Sequence, residues 1–444
     1  MLQKLHVLLV THRYPPDGEG GVERYTQTLA TEMARRGHSA TVVTRRPEPG
    51  AAQLHRRREV GGDGVVVHRL VGGELQLDRF LARSQCLERL FEEILVDERP
   101  DLVHVNHLLG HSPRIIAAAR RRGVVVIVTL WDFYFACPLV HLQRLDGSVC
   151  DGPDRGRECA RTCFAGYGGD QMARWQTRDL YFEEVLSLAD RVVAPSKYVH
   201  DFFRSRRPQA MRFDLLEPCA FVSRESASRD HPWDGTLRAA FLGALVPHKG
   251  PHVIVEALRI ARLPSCDLVM FGCVPDNVYA RRLREQAAGM GGVRLRLFGA
   301  YEPRDLHCLL RDVDCVIVPS LVPETFCFTL REALACGIPV VAARRGALPE
   351  GVTEGVNGFT FDPDEPAELG HLLSRLSREA SLRRRLHEGA RTTRLTTPEQ
   401  HLDALLALYE ETLSHAGREG HRVALERVDS LHDRLRRHGF DVGD

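Results

Sequence analysis

Lysine is almost absent from this chain of 444 residues: Lys4, Lys197 and Lys249 are the only three among 60 basic residues. The skew toward arginine has its simplest source in a GC-rich genome, and it makes each remaining lysine informative. Long hydrophobic runs are lacking too. No stretch of about 18 apolar residues reads as a membrane span. The apolar run Leu5–Val10 is far too short for a secretory h-region and gives way to His12-Arg13. Charge of one sign is missing as well. A formal net charge of +1 leaves no electrostatic footprint for nucleic acid, so no nucleic-acid partner is expected. Twelve scattered cysteines without an export signal point to a reducing cytoplasm. The clusters Arg56-Arg57-Arg58 and Arg120-Arg121-Arg122 suit either solvated surface or a peripheral contact with anionic lipid head groups.

What is present is alternation. The length exceeds one ordinary core and calls for two domains of about 200 residues each. Strand patterns fall at Leu5–Val10, Ala40–Thr44, Val65–Leu70, Leu102–Val105, Val124–Leu130 and Arg191–Ala194. A glycine-rich turn, Gly18 to Gly21, opens a helix with Val22, Tyr25, Leu29, Ala30 and Met33 on one face, closed by Gly37. A break near Glu217-Pro218 runs through the polar stretch Ser223–Asp234. Strands then resume at Arg238–Leu242, Asp267–Phe271, Val293–Leu297, Cys315–Val318 and Pro339–Ala342. The expected class is α/β, with two Rossmann-like domains facing an interdomain cleft and ligands at the carboxyl ends of the strands. The expected boundaries are 1–222, 235–397, a crossover helix 398–415 returning to the first domain, and a tail helix 416–444. The crossover carries Leu402, Leu405, Leu406, Tyr409 and Leu413 at helical spacing. The tail carries one apolar stripe, Leu425, Val428, Leu431 and Leu435, which suits docking or a homodimer.

The richest segment is Pro-Glu-Thr-Phe-Cys-Phe-Thr-Leu-Arg-Glu, with Glu324 and Glu332 eight positions apart between an apolar strand and a helix closed by Gly337-Ile338-Pro339. On a helix, two turns at 1.5 Å per residue span roughly 12 Å, the reach of a folded nucleotide-sugar. One acid would bind a ribose and the other the sugar, with free N–H groups of the first helical turn between them for a diphosphate. Spacing alone is equally satisfied by two acids on a solvated face.

The surroundings resemble the family 4 group of GT-B glycosyltransferases, over nearly the whole chain up to about Leu413. Phe241-Leu242-Gly243 with Pro247-His248-Lys249-Gly250, Phe271-Gly272, Val318-Pro319-Ser320, Pro323-Glu324-Thr325-Phe326, Arg331-Glu332-Ala333, Cys336-Gly337-Ile338-Pro339 and Glu354-Gly355-Val356-Asn357-Gly358 carry the likeness. It implies a retaining transfer from a UDP- or GDP-type sugar to a hydroxyl of a small-molecule, lipid-linked or saccharide acceptor. It also implies front-side attack that needs neither metal nor cofactor. Lys249 would meet the diphosphate, a compact cation for a leaving group that gains negative charge. The family's companion arginine is replaced by Ala244. Glu324 would hold sugar hydroxyls and Glu332 the ribose. Backbone amides from Thr325 through Phe326 to Thr329 would meet phosphate or sugar, and Gly243 and Gly272 line the donor side. In Gly299-Ala300-Tyr301, Tyr301 would stack on the base or pack. Gly20-Gly21-Val22-Glu23 resembles the family's glycine loop, with Gly21 beside the donor phosphate.

On the acceptor side, Trp131 stands where many members have a histidine. An indole stacks on sugars but moves no proton, so Asp132 becomes the first acid/base candidate, or a structural cap. His107, with His104 and Asn106, closes the preceding strand. Cys137, Cys150, Cys159 and Cys163 lie in a Gly/Asp/Arg-rich loop that would shape the acceptor pocket. They suit a structural zinc, free thiols or disulfides. Two rival readings are a non-catalytic sugar-nucleotide-binding scaffold and a sugar-nucleotide epimerase. A pyridoxal-dependent phosphorylase is disfavoured, because no lysine follows Lys249.

Overall fold

The computed structural model describes residues 4–18, 20–48, 53–72, 85–206, 211–222, 233–415 and 422–438. The polar break at 223–232 and the tail segments 416–421 and 439–444 lie outside them. The chain forms two compact units: Met1–Pro218 with Pro398–Asp444, and Cys219–Thr397.

Unit 1 is built on an eight-stranded sheet: β1 His6–Thr11, β2 Ser39–Arg46, β3 His55–Val60, β4 Val66–Val71, β5 Leu102–Val105, β6 Val125–Thr129, β7 Arg191–Ala194 and β8 Phe213–Leu215. The order is β3-β4-β2-β1-β5-β6-β7-β8, parallel throughout except for antiparallel β3 at one edge. The central strands are buried on both faces, so they read as continuous Val/Ile/Leu runs rather than alternating ones. Val10 pairs with Val105 and Val105 with Val128, which brings the carboxyl ends of β1, β5 and β6 level.

Unit 2 carries a six-stranded, fully parallel sheet: β9 Leu237–Leu242, β10 Cys266–Phe271, β11 Val293–Gly299, β12 Cys315–Val318, β13 Val340–Ala343 and β14 Gly358–Phe361. Its order is β11-β10-β9-β12-β13-β14. Order reverses across β9/β12, the place where such sheets leave a crevice at the carboxyl ends.

The helix Pro398–His415 packs on unit 1 through Leu402, Leu405, Leu406 and Tyr409, all buried. Tyr25 Oη lies 2.8 Å from His401 Nε2, and His104 Nδ1 lies 2.6 Å from Tyr409 Oη. The tail helix Arg422–Arg437 lays its stripe on this chain's own core. Val428 and Leu435 are fully buried, with Leu425 and Leu431 packed beside them. The stripe is satisfied within one chain, which corrects the expectation of a dimer surface there. The arginine clusters find partners within the chain. Arg56 pairs with Asp97, Arg58 with Glu98, Arg120 with Asp190 and Arg121 with Asp429, so their charge is met locally. Among the described residues no helix is long and apolar enough to cross a membrane.

Burial leaves three unit 1 histidines uncharged. Burial pushes His104 and His111 down to about 3 and His401 down to about 4. The unfolded chain takes up these protons from about pH 6.5 downward, while the folded chain does not until its own lower values. Stability is therefore full above pH 6.5 and falls as the pH drops toward 4, by about 1.4 kcal/mol per pH unit for each histidine. Urea unfolding at pH 7.5 and pH 5 is expected to show a clear loss at the lower pH. Equal midpoints would contradict neutral burial.

Candidate functional site

In unit 2 the site is assembled from strand ends. After β9 the chain turns through Gly243 and Ala244 into the short turn Pro247–Lys249. Gly250 follows at φ 72°, and a Cβ there would stand 2.0 Å from the Pro319 carbonyl oxygen, so glycine is required. This contact holds the lysine turn against the end of β12, where Leu321 N–H also donates to the His248 carbonyl at 2.9 Å. As a result Lys249 Nζ lies 2.7 Å from Glu324 Oε1, and Ser320 Oγ donates to the same oxygen at 2.5 Å. The Glu324 side chain is 12% exposed and the Lys249 side chain 35% exposed. Burial works against the lysine's charge, yet the adjacent carboxylate outweighs it and raises its pKa above the ordinary value.

Glu324 does not sit on a helix. It forms a bridge with Gly346, and its carbonyl accepts the Ala347 N–H at 2.8 Å. Cys327, at φ 68°, turns the chain before the helix Phe328–Ala335 begins. The 12 Å helical estimate is thereby corrected: only Glu332 belongs to the helix, and it is 4% exposed rather than solvated. The Phe326 side chain is buried beneath the Arg331 guanidinium, 4.3 Å from the ring, so only its backbone amide is left for the role expected of it. Thr325 stands between Glu324 and that ring. The helix N-terminus carries no hydrogen-bonded side-chain cap. Gly243 and Gly272 adjoin, since a Cβ on Gly272 would stand 1.8 Å from the Gly243 carbonyl. Tyr301 lies edge-on to Phe271, with centroids 6.3 Å apart.

In unit 1 the level ends of β1, β5 and β6 carry two histidine–carboxylate pairs. His107 Nε2 lies 2.6 Å from Asp132 Oδ2, and Asp132 Oδ1 accepts the Tyr134 N–H at 2.8 Å. Asp132 thus holds the turn after β6 and orients His107, and both of its oxygens are engaged. His12 Nε2 lies 3.2 Å from Glu23 Oε1, and the rings of His12 and His107 are 4.3 Å apart. Burial disfavours a charge on His107, but Asp132 prevails and raises its pKa. His12 is lowered, first by burial and then by His107. Burial favours protonation of Glu23 and Asp132, yet His12 and His107 respectively hold both below the ordinary carboxylate range.

The glycine loop gives this carboxylate its room. A Cβ on Gly20 would stand 2.5 Å from Glu23 Oε2, and Gly21 begins the helix Gly21–Arg35. His12 and Glu23 were not singled out from sequence; their one signal is position, at a strand end and in the turn that follows it. Trp131 is corrected. Its indole is 6% exposed, packs 4.6 Å from the Tyr25 ring and donates to Asn106 Oδ1 at 3.4 Å, so stacking on a sugar is not its role.

The cysteine segment is part of the core. Cys137, Cys150 and Cys159 are buried among Phe133, Phe135, Leu142 and Phe164, with Cys163 half-buried, and all twelve cysteines are unbridged. Burial pushes the Cys137 thiol up to about 11 and raises Cys150 and Cys159, which favours neutral thiols. Among the described residues no three His, Cys, Asp or Glu side chains converge as metal ligands, so the zinc expectation is not met by this geometry. The segment is held by the unit 1 core that its buried side chains join.

Comparison with known proteins decides the family. The model for glycosyl transferases group 1 matches residues 223–393, and that for glycosyltransferase family 4 matches residues 19–213. The chain belongs to the family 4 type of GT-B glycosyltransferases. This glycosyltransferase is 25% identical to a D-inositol 3-phosphate glycosyltransferase of Corynebacterium jeikeium, covering 91% of this chain and 94% of that one. It is 29% identical to the protein of the same name from Xylanimonas cellulosilytica, over 86% and 91% of the two chains. Among solved structures, sucrose-phosphate synthase of Thermosynechococcus elongatus superposes with a TM-score of 0.70 at 18% identity, over 93% of this chain and all of that one. Anabaena Alr3699/HepE, solved with UDP and glucose, gives 0.63 at 18% identity, with 93% and 100% covered. The glycosyltransferase shares their fold.

Proposed function

We propose that this glycosyltransferase takes a sugar from a UDP- or GDP-type donor held by unit 2 and passes it, with retention and without a metal, to a hydroxyl held by unit 1. The single observation that carries the donor assignment is the Lys249–Glu324 contact of 2.7 Å at the carboxyl end of a parallel sheet. One Nζ–H goes to Glu324, and the other two remain for phosphate oxygens whose charge grows as the anomeric bond breaks. Lys249 and Ser320 both meet Oε1 and fix the carboxylate of Glu324 at this strand end, where it would accept a sugar hydroxyl. Glu332 would hold the ribose, and the uncapped helix N-terminus would meet the diphosphate. Retention follows if the acceptor enters on the face the diphosphate leaves and the phosphate itself takes the hydroxyl proton.

Thermal-shift titration with UDP-, GDP- and ADP-sugars tests the donor reading. A true donor at about 100 times its Kd adds roughly 2.7 kcal/mol and raises Tm by several degrees. A panel in which no nucleotide-sugar raises Tm would remove the assignment.

A further inference from the structure

The strand ends of unit 1 display hydrogen-bond acceptors where a phosphate-binding site would display donors. Glu23 and Asp132 are acceptor-only as carboxylates, and each already takes the Nε2–H of an imidazole, His12 at 3.2 Å and His107 at 2.6 Å. His107 Nδ1 accepts the Leu109 N–H at 3.1 Å. Because a carboxylate can only accept, the neutral His12 ring carries its proton on Nε2, and its Nδ1 is a bare lone pair. That atom is buried and has no hydrogen-bond partner among the described residues. The His12 side chain as a whole keeps 21% of its exposure, so the site is not sealed. A buried polar atom without a partner calls for one.

We propose that this cluster receives an unphosphorylated, hydroxyl-bearing acceptor, a neutral polyol or sugar, and discriminates against its phosphate ester. The inference rests on the reading that unit 1 holds the acceptor, and it departs from the phosphate ester that the relatives' name carries. A hydroxyl donates the hydrogen bond that His12 Nδ1 lacks, and further hydroxyls donate to the remaining carboxylate lone pairs. A phosphate monoester carries nearly two negative charges at neutral pH and offers acceptors alone. It would meet two ionised carboxylates whose imidazole donors are already taken. The Arg13 guanidinium beside His12 and the His141 imidazole beside Asp132 are both exposed, where solvent and salt screen any charge they carry.

Titration calorimetry on protein saturated with UDP tests this, using two pairs: myo-inositol against D-inositol 3-phosphate, and glucose against glucose 6-phosphate. The neutral member is expected to bind at least about tenfold more tightly in one pair or both, and never more weakly. Glu23→Gln and Asp132→Asn, each removing one charge at constant volume, are expected to shrink that ratio severalfold. Equal affinities, tighter binding of the esters, or no binding of any of the four overturns the inference. The ratio in the wild-type protein decides by itself should either variant fail to fold. Donor-induced stabilisation is read separately: a protein that no nucleotide-sugar stabilises loses the transferase reading, and this inference falls with it.

Discussion

Lys249→Ala is expected to lower kcat/KM for sugar transfer by about a thousandfold, the scale of removing a preorganised charge from a developing oxyanion. Two effects act together. The departing diphosphate loses its compact cation, and Glu324, 12% exposed, loses the group 2.7 Å away that balances it. The family's companion arginine is absent at Ala244, so no neighbouring cation in that turn takes over. The loss should fall mostly on kcat, because the charge matters more as the bond breaks than in the bound donor. Lys249→Arg restores the charge on a planar fork and should recover part of the rate but not all of it. A Lys249→Ala enzyme within tenfold of the wild type would show that the lysine merely balances Glu324.

The second large effect concerns the turn itself. Gly250→Ala is expected to destabilise unit 2 by about 4 kcal/mol, at the severe end for a single substitution. The residue stands at φ 72°, and its new methyl group would lie 2.0 Å from the Pro319 carbonyl oxygen, a backbone atom with little freedom to retreat. For a unit of this size the loss corresponds to about 10 °C in Tm. Gly291→Ala is the control: its Cβ would meet nothing within 4 Å, and a change within about 0.5 kcal/mol is expected. Calorimetry of the two variants side by side separates the clash from a general intolerance of alanine. A Gly250→Ala protein that melts within about 2 °C of the wild type would contradict the packing of the lysine turn on β12.

The parallel strands were legible because burial on both faces forces runs such as Val125–Thr129 to be apolar throughout. The edge strand β3 was not, since HRRREV is exposed along nearly all its length and its arginines answer Asp97 and Glu98 instead of a core. β8, three residues long, gives too short a pattern to recognise. Periodicity disclosed the stripe on the tail helix but not its partner, because the same pattern suits a second copy or the chain's own helix Gln171–Ser187.

The site shows the same division. Lys249, Glu324 and Glu332 were visible from residue type and local motif. That Glu324 precedes the helix was not, because its position depends on the bridge to Gly346, more than twenty residues away. His107 and Asp132 were each visible at strand ends, whereas their contact exists only once β5 and β6 lie in register. His12 and Glu23 were not paired by any local pattern: the imidazole follows a strand and the carboxylate, though it closes the glycine motif, sits in a helix's first turn, and only the loop's geometry joins them. Trp131 misled because residue type alone leaves open whether an indole faces a ligand or the core.

Product analysis addresses the central claim most directly. The wild-type protein is incubated with the nucleotide-sugar that stabilises it most and with a neutral polyol, and the products are read by mass spectrometry and by NMR of the anomeric proton. Transfer of one sugar for each nucleoside diphosphate released, with the anomeric configuration of the donor kept, is the predicted result. An altered nucleotide-sugar formed without any acceptor, or a product of inverted configuration, would contradict it.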